Sequence, residues 1–138
     1  MNSDESKKPW KLALAATILM LLVLPLSIFA QSAPERVKFQ SRHSSATLKG
    51  RIVGFDAKDY VVGAKAGQTM ALRLASSHTS TYFVIYSING RATDMNETRE
   101  WSETLSESGD YLIRVFMMRS AARRKGAAAN FALSISIK

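Results

Sequence analysis

With no cysteine among 138 residues and a formal net charge of +8, the chain holds neither a disulfide scaffold nor thiol chemistry nor a cysteine-based metal site. Its first thirty residues read as a targeting segment rather than as part of a fold. Lys7, Lys8 and Lys11 form a basic start, Leu12 to Ala30 is a nineteen-residue apolar run, and Ala30 supplies a small residue at the cut. That is the pattern of a secretory signal peptide; an uncleaved anchor is the alternative, since such a run just spans a bilayer. Cleavage after Ala30 leaves 108 residues with 16 basic and nine acidic side chains, a formal charge of +7. This is one domain, 31–138, large enough for a real core.

The elements that follow are short. Gln31 to Glu35 is a linker with Pro34. Val37 and Phe39 alternate on one face, and Ala46 to Val53 follows, with Gly50 marking a bulge or a close approach of backbone. Gly54-Phe55-Asp56 is a turn, and Tyr60 to Ala64 is a strand with β-branched Val61 and Val62. Ala66-Gly67-Gln68 turns the chain into Thr69 to Ala75, where Met70, Leu72 and Leu74 share a face. Thr81 to Ile88 is apolar on both faces and reads as a covered central strand, with Asn89-Gly90 as a tight turn after it. Asp94 to Glu107 is polar and acidic, and is expected to form a short helical turn or a wandering loop.

The plainest strand is Tyr111 to Met117, with Tyr111, Ile113, Val115 and Met117 on one side. Arg119 to Ala129 is basic and alanine-rich, a loop with one helical turn. Phe131, Leu133, Ile135 and Ile137 alternate through the last strand. Seven or eight short strands without a long helix predict an all-β protein, an antiparallel β-sandwich or a barrel-like variant of it.

Few catalytic constellations can be assembled, and the chain is expected not to be an enzyme. His43 and His78 lie outside metal-ligand spacing, no G-x-S-x-G elbow or glycine-rich phosphate loop is present, and the acidic stretch reads as solvated surface. His43 reads as a turn histidine beside backbone. The informative asymmetry is around Tyr111 to Met117. Acids crowd before that strand, and Arg119, Arg123, Arg124 and Lys125 crowd after it. Such a knot either blunts an edge or presents guanidinium forks to carboxylates.

Four stretches of this chain resemble the bacterial periplasmic inhibitors of goose-type lysozyme. They are His43-Ser44-Ser45-Ala46 with Gly50 and Gly54-Phe55-Asp56; Ala64 to Gln68; Ser108-Gly109-Asp110-Tyr111 leading into Arg114-Val115; and Arg119 with Ala122-Arg123 and the final Ile137-Lys138. The resemblance covers about Val37 to Lys138 and is poor over Ser76 to Glu107. It implies a sandwich that plugs a lysozyme cleft, with Arg119, Arg123, Ser108, Gly109 and Tyr111 toward the enzyme. The family pattern has tyrosine where this chain has Phe55, which leaves a ring contact but no hydroxyl. Arg119 and Arg123 are then expected to pair with a cleft carboxylate, Tyr111 to support its turn from the core side, and Arg114, Arg124 and Lys125 to be solvated. The expected partner is a goose-type lysozyme, met in the periplasm by a monomer or weak dimer. No cofactor, metal, nucleic acid or, after cleavage, membrane is expected. The alternative is an exported basic module that binds anionic wall glycan or lipid headgroups through Arg114 to Lys125.

Overall fold

The computed structural model describes residues 33–87 and 92–138, with the backbone alone for 92–96. The apolar run Leu12 to Ala30 and the Asn89-Gly90 turn lie outside the described residues. Strand β1 (Glu35–Arg36) is followed by β2 (Ser45–Val53), β3 (Ala57–Ala64), β4 (Thr69–Ser76) and β5 (Thr81–Tyr86). Then come β6 (Ala92–Thr98), β7 (Glu100–Thr104), β8 (Gly109–Met117), a one-turn helix α1 (Arg119–Ala122) and β9 (Ala128–Ile137). A five-stranded sheet in the order β1-β3-β8-β5-β6 faces a four-stranded sheet in the order β2-β9-β4-β7. Apart from the two-residue β1, which runs parallel to β3, the strands pair antiparallel. The expected β-sandwich is thus present, with nine strands among the described residues where the sequence predicts seven or eight.

Alternation builds the core, because successive side chains of a strand point to opposite faces. Tyr111, Ile113, Val115 and Met117 of β8 are buried, as are Phe131, Leu133, Ile135 and Ile137 of β9, Met70, Leu72 and Leu74 of β4, and Phe83 and Ile85 of β5. Gly50 has a packing reason rather than a bulge. It faces Phe131 in the β2–β9 ladder, and a Cβ there would stand 2.5 Å from the Phe131 ring and 3.1 Å from the Tyr60 hydroxyl. Those two rings meet edge to face at 6.3 Å.

The acidic stretch departs from expectation. Asp94 to Glu107 is neither helix nor loop: it contributes to β6, which pairs with β5, and to β7, which pairs with β4. The chain changes sheets at Arg99, where the Thr98 hydroxyl donates to Glu100 O at 2.6 Å and Leu74 N–H donates to Arg99 O. Both are edge strands, and exposed acids there leave no apolar alternation to read while blocking further pairing. Among the residues of this stretch whose side chains are described, Trp101 and Leu105 are buried.

The topology gives the sandwich two distinct ends. At one lie the 54–56 turn, α1 and the loop 123–127. At the other lie the 65–68 turn, residues 105–108 and the C-terminal Lys138, which exchanges backbone hydrogen bonds with Thr69. Strand β8 connects the two, held against β3 through the eight pairs from Ala57↔Phe116 to Ala64↔Gly109. Seven steps of 3.4 Å along that ladder put the ends about 24 Å apart.

Candidate protein-binding site

The six residues expected to face a partner do not form one cluster. Phe55, Arg119 and Arg123 share one end of the sandwich; Ser108, Gly109 and Tyr111 belong to the other. The two groups differ in how their polar atoms are used.

At the second end the hydroxyls of the Ser-Gly-x-Tyr element are spent internally. Ser108 Oγ accepts from Ala66 N–H at 2.8 Å, tying the β7–β8 turn to the β3–β4 turn. Gly67 N–H donates to Leu105 O and Leu105 N–H to Gln68 O, both at 2.8 Å. Gly109 takes φ +143°, a region glycine enters freely. Tyr111 is buried, and its hydroxyl donates to Glu107 O at 2.6 Å. It supports the turn from the core side, as expected. Asp110 accepts from the Arg36 fork at 3.1 and 2.5 Å, and that hydrogen-bonded guanidinium holds the Asp110 carboxyl below its usual range. His43 stands exposed at a nearby turn, its N–H donating to Gln40 O.

The first end is arranged in the opposite way. Met118 N–H donates to Ser80 O, and the 118 carbonyl accepts from Ala121 and Ala122, closing α1 into a single turn. Ala121 and Ala122 face inward and are buried. Small side chains let the turn lie close on the core, and the residues on either side, Arg119 and Ser120 before and Arg123 after, are left outside. Arg119 and Arg123 are both exposed and stand at i and i+4, a spacing that places side chains on one helical face about 5–6 Å apart. Among the described residues, Arg36, Arg73 and Arg114 pair with Asp110, Glu100 and Asp59, whereas Arg119, Arg123, Arg124 and Lys125 have no carboxylate partner. Beside them stands Phe55, the most exposed large hydrophobic residue of the described chain at 70 %. Gly54 N–H donates to Ala127 O at 2.8 Å and joins the Phe55 turn to the arginine loop.

Arg114 corrects an expectation. It is not a free surface charge: Nε and Nη2 donate to the two Asp59 oxygens at 2.8 and 2.7 Å across the β3–β8 ladder. That bidentate bonding keeps the guanidinium more firmly protonated against partial desolvation. Arg114 therefore drops out of any free basic patch from 114 to 125. The pair was missed because its partner is 55 positions away in the chain. An acid and a base that occupy opposed positions of two alternating strands are its only sequence signal, and that appears once the register is known.

No protein-family model matches the chain. A curated relative from Escherichia coli K12, described as an inhibitor of g-type lysozyme, is 30 % identical over 111 residues, covering 78 % of this chain and 84 % of that one. Among solved structures, the Aeromonas hydrophila periplasmic inhibitor of g-type lysozyme PliG superposes with a TM-score of 0.69 at 32 % identity, over 76 % of this chain and 96 % of that one. The Salmonella Typhimurium PliG structure, at 23 % identity and a TM-score of 0.59 over 78 % and 100 % of the two chains, shares the fold.

Proposed function

The chain belongs to the family of g-type lysozyme inhibitors, and from that premise we propose that it blocks a g-type lysozyme in the periplasm with the end that carries Phe55, Arg119 and Arg123. It acts as a binding protein and not as an enzyme. The segment ending at Ala30 is the export signal, removed before the domain meets its partner.

One observation carries the assignment of the end. Two arginines at helical spacing without a carboxylate partner and the most exposed aromatic of the described residues occur together at one tip of the sandwich, while the Ser108 and Tyr111 hydroxyls at the other tip bond its own backbone. Aromatic residues and arginine are the side chains enriched in the energetically dominant parts of interfaces. A glycosidase cleft of this kind offers a catalytic carboxylic acid and walls shaped for sugar rings. A guanidinium placed there pairs with the carboxylate where water is excluded, and the Arg119–Arg123 spacing lets two forks approach one acidic site. Phe55 covers the apolar margin. Ser108 and Tyr111 act by shaping the far turn.

The test is a peptidoglycan lysis assay with a g-type lysozyme and the purified 31–138 domain, which is expected to inhibit at near-stoichiometric amounts. Removing one partner of a desolvated charge pair costs about 2–5 kcal/mol, so the Arg119→Ala/Arg123→Ala variant is expected to inhibit at least about thirtyfold less well. Undiminished inhibition by that variant overturns the assignment of the end.

A further inference from the structure

Among the described residues, two large hydrophobic side chains are left in water by the fold, and they flank a single residue. Val53 is 50 % exposed and Phe55 70 % exposed. Val53 ends β2, an edge strand whose outward residues are otherwise Ser45, Thr47, Lys49 and Arg51, all polar and all exposed. Its cross-strand neighbour in β9 is Ala128, too small to cover it. Strand propensity favours a β-branched residue there, but core packing does not demand it, since half of Val53 stays in water. Val53 thus breaks its strand's own polar pattern at the very point where β2 reaches the arginine end.

Gly54 fixes the two side chains relative to the cationic loop. It adopts φ +56°, its N–H donates to Ala127 O at 2.8 Å, and Asp56 N–H closes the turn on Val53 O at 3.0 Å. A Cβ at position 54 would stand 3.6 Å from Ala122 O, an ordinary contact. Space therefore does not require glycine; backbone conformation does.

From this geometry we infer that Val53, Gly54 and Phe55 form an apolar prong rigidly coupled to the Arg119–Arg123 loop. The surface fits a partner whose acidic cleft is bordered by an apolar collar on the side facing β2. The inference rests on the proposed function and adds to it a contact residue, Val53, and a positioning residue, Gly54. Because the prong is preassembled by a backbone hydrogen bond, little ordering entropy is left to be lost on binding.

Three variants test it in the lysis assay with a g-type lysozyme, each assayed below its own thermal transition so that the domain is folded. Val53→Ser is expected to weaken inhibition about fivefold, the effect of losing burial of a half-exposed valine, and the loss should persist at high salt, which screens charge but not apolar contact. Gly54→Asn, a residue that tolerates positive φ, should inhibit like the parent. Gly54→Val, which does not tolerate it, should weaken inhibition by at least about tenfold. Parental inhibition by Val53→Ser overturns the prong, and equal inhibition by the Asn and Val variants overturns the positioning role. In either event Arg119→Ala/Arg123→Ala still decides the proposed function separately.

Discussion

Arg114 and Asp59 show how a charge can be withdrawn from function by one well-placed partner. The Asp59 side chain is only 16 % exposed while that of Arg114 is 43 % exposed, so the pair is half screened and its net contribution is modest. The cost of breaking it falls on the carboxylate left behind. Arg114→Ala is expected to destabilise the domain by about 1 kcal/mol, a drop in Tm of roughly 4–8 °C for a chain of this size. Inhibition of lysozyme by the folded variant should be unchanged. A calorimetric scan beside the lysis assay checks both halves, and a loss of inhibition at parental stability would return Arg114 to the binding surface. Composition cannot separate Arg114, within β8, from Arg119, two residues after its end. Register distinguishes them, by setting Asp59 opposite Arg114, whereas Arg119 lies beyond the strand in α1.

Strand β8 is the element on which both tips depend, and its alternation was plain in the sequence because one face is wholly apolar. The same holds for β9 and β4. Edge strands β6 and β7 were illegible for the converse reason: among the residues with described side chains, Trp101 alone faces the core within β7, and exposed glutamates follow no period. The alanines of the 119–129 stretch did announce a helical turn. That Ala121 and Ala122 point inward, leaving the arginines outside, depends on how α1 docks, which a four-residue pattern does not encode. At the opposite tip the Ser-Gly-x-Tyr element was legible as a motif, but its use was not. Its hydroxyls are consumed by Ala66 N–H and Glu107 O. Tyr111→Phe and Ser108→Ala are each expected to lower stability by about 1 kcal/mol, the usual net worth of an intramolecular hydrogen bond, with inhibition intact. Denaturant midpoints and the lysis assay measure the two quantities. A variant of normal stability that inhibits poorly would place this turn against the enzyme after all.

For the whole molecule, the stretches that mark the family are divided between the two tips. His43 to Ala46, Ala64 to Gln68 and Ser108 to Tyr111 meet at one, and the 54–56 turn and Arg119 with Arg123 meet at the other. Sequence proximity along β8 suggested a shared surface, since eleven positions separate Ser108 from Arg119. An extended strand converts that separation into nearly its full length, where a helix would have folded it to less than half.

That separation turns the far tip into a handle. Lys65 is exposed in the turn there, and the chain has no cysteine of its own, so Lys65→Cys creates a unique point for thiol coupling. A domain bound to a sensor surface through that thiol presents its arginine tip outward in a single orientation. It is expected to capture a g-type lysozyme from solution with nearly all immobilised molecules active, whereas coupling through a cysteine placed at Arg124 should leave few able to bind. Surface plasmon resonance of the two preparations would compare them directly, and the inhibitor would then serve as an oriented capture reagent for the enzyme it blocks.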